Sequence, residues 1–497
     1  MKSDFIIQLL NTIGVKKLIG VIGSGDSFKI AESVIHAGGE FIETPNEFSA
    51  PIIASSMNKV GAGKNFCASI SIRGPGMVTS LPGIYHNFLE DLKSLSISES
   101  LSDIESINSF HKDFDLESAL NSVSSSTKPI KISLDDFDYK FKINDDIRMV
   151  HLTSGNDIFF SYRRSSEEMC SNQNEKSGLL QKHKLLVVGK RGIQQSEVIT
   201  LLNTHVPFFL TPAALPYINL NLPNYLGVWT GMEQFKYLQN DSNFLTNSII
   251  IRLGVMKREL LTLKENACHF DIPLLPDKTK MNLSQFLEHF GFNSASNEQT
   301  VIRNLREKIA FGSKGWSVFT AIFILNELED DYNLVFDVGS FATIIENYVV
   351  KVNKLRLHSS FIGKFMGTAA SIAIGVSVAE PVVPVMCLIG EGGFAAAFSE
   401  ITSIASLQLP VCTIVFSNNA MHSVVSGKTI KPEHLNKYLP VNYAVLEKTK
   451  IPDMPVNFAH SSEDFLNILS SWDKKSPILI FLKFKEYDYV KGVESLR

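Results

Sequence analysis

Val385 to Met421 reads VMCLIGEGGFAAAFSEITSIASLQLPVCTIVFSNNAM, and the rest of the chain is organised around this stretch. Val385 to Ile389 is a short apolar run with β-branched residues, the mark of a buried strand. It stops in Gly390-Glu391-Gly392-Gly393. Phe394, Phe398, Ile401, Ile404 and Ala405 then recur at three- and four-residue steps, which predicts a helix. A second strand, Val411 to Phe416, runs into Ser417-Asn418-Asn419. Strand, glycine turn, helix, strand puts polar oxygens at the carboxyl ends of two strands, where open parallel sheets hold ligands.

Three glycines around Glu391 let the backbone approach a phosphate closely, and the first amides of the following helix point outward as anion donors. A carboxylate and an amide oxygen from adjacent strand ends are hard ligands of the kind Mg²⁺ accepts, with phosphate and water completing its shell. The residues read as a metal-bridged diphosphate clamp, although an ordinary βαβ unit with a glycine-rich turn has the same outline.

The stretch resembles the thiamine diphosphate fingerprint, in which Gly-Asp-Gly is followed about two dozen residues later by Asn-Asn. Here 25 residues, 393 to 417, separate Gly392 from Asn418. Glu391 stands where the family usually has Asp, one methylene longer with the charge kept. The resemblance implies thiamine diphosphate and Mg²⁺ as cofactors. It implies metal ligands at Glu391, at Asn418 and at the backbone carbonyl of Ala420, with Asn419 as the alternative register for the amide. It also implies diphosphate contacts at Gly390, Gly392 and Gly393.

At 497 residues the chain is too long for a single core, so two or three domains are expected. A hydrophobic share of 44% with 20% charged residues is globular, and a net charge of −4 offers no electrostatic case for nucleic acid. Five scattered cysteines without CxxC spacing suggest neither a disulfide framework nor zinc. Cys67, Cys387 and Cys412 lie in apolar runs and read as small core residues. The N-terminus has the pattern of an amphipathic helix rather than a signal peptide, and no apolar run is long enough to span a bilayer, so a soluble cytoplasmic protein without membrane contact is expected.

Strand and helix signals alternate along the chain, with turn chemistry at each strand's carboxyl end, which predicts α/β architecture with parallel sheets. The first region has strands at Leu18 to Ile22, Phe41 to Thr44 and Asn65 to Ile72, and helices over Phe48 to Val60 and Met77 to Phe88. A serine-rich and acidic stretch and a strand at Pro129 to Leu134 follow, then a charged linker from Tyr162 to Lys184. The second region opens with Leu185 to Val188 and a Gly189-Lys190-Arg191-Gly192 turn, which lacks GxGxxG spacing and is read as structural. The third begins near Gly312. This order resembles that of thiamine diphosphate enzymes of the acetolactate synthase and pyruvate decarboxylase type. It implies three doubly wound domains: pyrimidine-binding (1–165), central (180–300) and diphosphate-binding (310–497).

Glu47 ends a strand and opens a helix among Ile42, Phe48, Ile52 and Ile53, a setting that favours a neutral carboxyl. In the family a Glu so placed pairs with the aminopyrimidine N1′ and promotes removal of the thiazolium C2 proton, so the resemblance makes Glu47 the catalytic residue. An acid at a helix N-terminus is otherwise commonplace. Gly74-Pro75-Gly76 matches the family's turn against the pyrimidine ring, with Arg73 in place of its small residue. Met366, in the small-residue run Gly363 to Gly375, falls where the family has an apolar wedge that bends the cofactor. Gly339 and Ser340 are candidates for diphosphate contacts.

The resemblance implies decarboxylation of a 2-oxo acid and addition of the resulting enamine to a second carbonyl, as in acetolactate synthase. The His-His pair typical of aldehyde-releasing decarboxylases does not occur, and Asn46 replaces the usual His before the catalytic Glu. His86, His358 and His422 are read first as surface or packing residues. The alternatives are a simple 2-oxo acid decarboxylase of the sulfo- or phosphonopyruvate type, or a catalytically weak cofactor-binding homologue. The division of the cofactor between neighbouring chains implies a homodimer or homotetramer, and FAD in the central domain is left open.

Overall fold

The apolar runs become strands wherever their alternation or continuity lets them bury, and most belong to three wholly parallel sheets. The computed structural model describes residues 10–11, 14–23, 26–61, 66–72, 74–98, 183–194, 208–217, 224–230, 248–260, 268–272, 315–348, 355–418 and 450–484, with short segments at 118–119, 122, 127–128, 132–133, 147–152, 157–163, 198–199 and 202. Arg73, Asn419, Ala420 and His422 lie outside the described residues.

The first sheet is built from β1 (Val15–Gly20), α1 (Asp26–His36), β2 (Glu40–Glu43), α2 (Ser49–Val60), β3 (Phe66–Ser71), α3 (Pro75–Leu89) and β4 (Leu95–Ser98), in strand order β2-β1-β3-β4. Four further strands, β5 (Thr127–Lys128), β6 (Ile132–Ser133), β7 (Ile147–Leu152) and β8 (Asp157–Arg163), pair antiparallel. The sequence reading saw one strand here, at 129–134. The observed pair of two-residue strands is too short to carry a periodic signal, and β7 and β8 went unread.

The second sheet has β9 (His183–Val188), the single turn α4 (Lys190–Ile193), β10 (Phe208–Leu210), β11 (Tyr225–Val228), β12 (Ser248–Leu253) and β13 (Cys268–Ile272), in order β11-β10-β9-β12-β13. Its switch of strand direction lies between β9 and β12, yet the crevice there is filled by the chain itself. A Cβ on Gly192 would meet the Leu253 carbonyl at 2.2 Å, and one on Gly254, at φ +59°, would meet the Gly192 nitrogen at 2.1 Å. The Gly189 turn therefore serves close backbone packing, as its spacing indicated.

The third sheet comprises α5 (Val318–Asn326), β14 (Tyr332–Phe336), α6 (Ser340–Tyr348), β15 (Leu355–Ser359), α7 (Thr368–Ala379), β16 (Val385–Gly390), α8 (Glu391–Ala396), α9 (Phe398–Ser406), β17 (Val411–Ser417), β18 (Val456–Ala459), α10 (Ser462–Ser471) and β19 (Ile478–Lys483). Strand order is β15-β14-β16-β17-β19-β18, so the chain reverses direction across the sheet between β14 and β16. A ligand crevice is expected outside the carboxyl ends of that pair.

The first and third sheets meet through α2 and α7. The run TAASIAIGVSVA of α7 is small and apolar on all faces, and a helix of that kind is buried all round. A Cβ on Gly375 would lie 2.5 Å from the Ile53 carbonyl oxygen and 2.8 Å from Ser56 Cβ, so the close helix crossing requires glycine. Among the described residues no helix is long and apolar enough to cross a membrane. Cys67, Cys387 and Cys412 are buried, as their apolar surroundings predicted.

Candidate cofactor site

Glu391 follows β16 directly and Asn418 follows β17, and the two strands are parallel neighbours with Gly390 opposite Phe416. The Glu391 carboxylate turns toward the end of β17. Oε1 accepts the Ser417 hydroxyl at 2.8 Å and Oε2 accepts the Asn418 backbone amide at 3.3 Å. Glu391 is 4% exposed and Asn418 is 6% exposed, so both residues are buried at the adjoining ends of β16 and β17. This donor set fits a hard divalent cation holding an anionic tail. Lys483 ends β19 as the register partner of Ser417, and its Nζ donates to Ser417 Oγ at 2.9 Å. The sequence reading missed Ser417 and Lys483. The available signal was a lone cation closing the apolar run Ile478 to Leu482.

The end of β14 supplies a second carboxyl, Asp337, which no sequence motif singles out. Its Oδ2 accepts the Gly367 amide at 2.7 Å. Burial pushes the carboxyl up to about 7, partly offset by the amides of Gly367, Val338 and Thr368. A Cβ on Gly393 would sit 2.1 Å from the same Oδ2, so glycine at 393 makes room for Asp337. Gly367, at φ +85°, opens α7, and a Cβ there would lie 3.1 Å from Ala396 Cβ. Asp337 thus ties the entrance of α7 to the glycine turn. Met366 lies beside it and is 47% exposed, which removes it from the core and leaves it on the surface at this end of the sheet. Gly339 lies against the Phe341 ring, whose face stacks on Phe416 at 4.7 Å, and Ser340 is the buried first residue of α6.

In the first sheet, Glu47 is half-buried and its carboxylate lies against the Gly74-Pro75-Gly76 turn. A Cβ on Gly76 would be 2.8 Å from Glu47 Oε1, Gly74 has φ +65°, and Pro75 opens α3. Two segments separated in sequence and predicted to face one ring are therefore neighbours. Asn46 has a different task. Its Oδ1 accepts the amide of Ser49, the first residue of α2, at 2.9 Å, and its Nδ2 donates to Glu400 Oε1 at 2.8 Å. Glu400, 2% exposed on α9, also accepts the Ser49 hydroxyl, so this unpredicted acid clasps the first sheet to the helix that follows the glycine turn.

Glu90 forms a second clasp. Its Oε1 accepts the amides of Ile362 at 2.8 Å and Gly363 at 2.7 Å and the Ser360 hydroxyl at 3.1 Å, and its Oε2 accepts the Phe361 amide at 3.1 Å. The loop it holds leads to Met366. From the second sheet, Lys190 Nζ donates to the Glu90 carbonyl at 2.7 Å. His86 and His358 border the small polar cavity at this junction, with Lys59, Lys190 and Tyr217. Both imidazoles are buried, which lowers their pKa and keeps them neutral; His86 packs edge-on to Phe365 and His358 Nε2 lies 3.1 Å from Asn333 Oδ1. Both are packing residues.

A parallel sheet with a buried acid, an amide and a glycine turn at its switch point has the outline of a ligand-binding α/β protein. Residues 337–464 match the family described as thiamine pyrophosphate enzyme, C-terminal TPP binding domain. A segment of 106 residues is 28% identical to acetolactate synthase of Bacillus subtilis (strain 168), covering 21% of this chain and 18% of that protein. Residues 337–464 thus resemble the TPP binding domain of thiamine pyrophosphate enzymes, and the match spans less than a fifth of the length of the acetolactate synthase.

Proposed function

We propose that the chain is a thiamine diphosphate-dependent carboligase that decarboxylates a 2-oxo acid and joins the remaining acyl unit to a second carbonyl. The observation that carries this reading is the convergence of Glu391 with the Ser417-Asn418 strand end inside the segment that matches the TPP binding domain. Glu391, the Asn418 side chain and the Ala420 carbonyl would hold Mg²⁺, and Gly390, Gly392 and Gly393 would line the diphosphate. When bound, thiamine diphosphate would supply a carbon nucleophile and an electron sink for decarboxylation.

The chain's residues position the cofactor, exclude water and move protons. Glu47, seated against the Gly76 turn, would exchange a proton with a bound pyrimidine ring. Met366 presents an exposed apolar side chain at the mouth of the site and serves as the wedge. Carboligation is favoured over aldehyde release because the His-His pair typical of aldehyde-releasing decarboxylases does not occur in the sequence. The domains are assigned as pyrimidine-binding (1–165), central (180–300) and diphosphate-binding (310–497). At least a homodimer is expected, with each site completed by its neighbour.

The test is ¹⁴CO₂ release from a panel of labelled 2-oxo acids, with and without an acceptor aldehyde or 2-oxo acid. A 2-hydroxy ketone product supports the reading. Aldehyde as sole product, or binding of thiamine diphosphate without CO₂ release from any acid, contradicts it.

A further inference from the structure

Packing against Phe365 accounts for one side of the His86 ring but not for both of its nitrogens. The residue is 1% exposed on α3, and among the described residues its Nε2 has no hydrogen-bond partner. The neighbours place the ring proton. Asn87 Nδ2 donates to the Pro51 carbonyl at 2.8 Å and Asn87 Oδ1 accepts the Ser55 hydroxyl at 2.8 Å, so the atom 3.2 Å from His86 Nδ1 is an acceptor. Nδ1 therefore donates, and in the neutral ring that burial enforces, Nε2 carries a lone pair. A buried acceptor without a partner calls for a donor.

The ring borders the cavity at the junction of the three parallel sheets, which measures about 20 Å³, room for one or two water-sized groups. Two lysines line the same space. Lys190 is engaged: its Nζ donates to the Glu90 carbonyl at 2.7 Å and stands 4.0 Å from the Asp91 carboxylate. The Glu90 carboxylate, also on the wall, is taken up by the 360–363 loop. Lys59, in the last turn of α2, has no hydrogen-bond or ion-pair partner among the described residues. Burial and then the Lys190 charge push its ammonium down to about 8, and its own charge lowers both His86 and His358. A cation without a counter-ion and a lone pair without a donor thus border one small space. Water answers only the lone pair. A bare anion answers only the cation and meets the lone pair unfavourably. An anion with an O–H group answers both.

We propose that this cavity binds a compact oxyanion that keeps a proton at neutral pH, hydrogencarbonate or hydrogenphosphate, with its charged oxygens on Lys59 and its O–H donating to His86 Nε2. The site shares no residue with the ends of β16 and β17. Its walls come from α2, α3, the second sheet and the end of β15, so an occupant ties the three sheets together and stabilises the fold according to its affinity.

The experiment is urea denaturation of the full chain at neutral pH and constant ionic strength, with hydrogencarbonate set against nitrate and hydrogenphosphate against sulfate. Each pair matches in shape, and only the first member carries a proton. Wild type, Lys59→Met, Lys59→Arg and His86→Phe are compared. The wild-type midpoint should rise and saturate with at least one proton-bearing anion and not with its isostere. Lys59→Met should weaken that anion about tenfold or more, and Lys59→Arg should stay within about threefold of wild type. His86→Phe, which keeps a ring beside Phe365 but no acceptor, should respond alike to both members of each pair. Equal responses of wild type within both pairs, or a Lys59→Met chain that responds as wild type does, would overturn the proposal. Should His86→Phe fail to fold, the wild-type pairs and the Lys59 variants still decide.

Discussion

Replacing Gly393 by alanine tests the packing behind the glycine turn, because two effects of opposite sign compete there. Alanine in place of glycine inside α8 favours the helix by about 0.5–1 kcal/mol. Against this, the new Cβ would sit 2.1 Å from Asp337 Oδ2 and 2.8 Å from Ile389 Cγ1, distances that real contacts do not reach. The Asp337 carboxylate must swing away and give up the Gly367 amide, a bond of 2.7 Å. Losing a buried hydrogen bond of this kind costs about 1–3 kcal/mol. Overpacking adds about 1–3 kcal/mol. The clash outweighs the helix gain, and Gly393→Ala should be destabilised by roughly 1–5 kcal/mol, read as a lowered denaturation midpoint in urea with unchanged slope. Gly390→Ala is the control. Its Cβ would meet only the Phe341 ring, at 3.5 Å, and its backbone is extended at φ −82°, so stability should change by less than about 1 kcal/mol. A Gly393→Ala chain as stable as wild type would refute the packing of Asp337 against the turn.

Asp337 also gives a pH signature. Its folded carboxyl is raised to about 7 against an ordinary 3.8, so between those values the folded chain holds more protons than the unfolded one. The contribution is full below the ordinary value and falls as pH rises through the folded one, at up to about 1.4 kcal/mol per unit. Asp337→Asn should remove that fall, seen by comparing urea midpoints from pH 5 to 8. Glu90→Gln keeps an acceptor for three of the four donors but loses the charge and the Phe361 partner, which should cost about 1.5–3 kcal/mol. Glu90→Ala should cost more, and hydrogen exchange should show faster amides at 361–363. Asn46→Ala removes both the acceptor of the Ser49 amide and the partner of Glu400, an expected loss of about 1–3 kcal/mol by thermal or chemical denaturation.

The parts of this molecule that could be read from sequence are those whose physics is local. Val385 to Ile389, the glycine turn and Val411 to Phe416 carry their strand and helix signals within a few residues, and Gly392 and Asn418 are tied by one crossover. The association of Glu47 with Gly76 followed from a family pattern, and the two segments pack together. What escaped notice depends on partners far away in the chain. Glu90 is a helix-terminal acid whose meaning comes from amides at 361–363, and Glu400 is a polar position on an amphipathic helix until Asn46 meets it. Asp337 is recognisable only once Gly367 and Gly393 surround it. Lys483 meets Ser417 through strand register, although nothing adjacent in sequence is polar until the next lysine.

The most direct measurement is calorimetry of the apo chain with thiamine diphosphate, with and without Mg²⁺, on wild type, Glu391→Ala and Glu47→Gln. Wild type should bind more tightly with the metal, Glu391→Ala should lose the metal-dependent part, and Glu47→Gln should bind while losing proton exchange at the thiazolium C2. Metal-dependent affinity unchanged in Glu391→Ala would contradict the assignment of the clamp to the ends of β16 and β17.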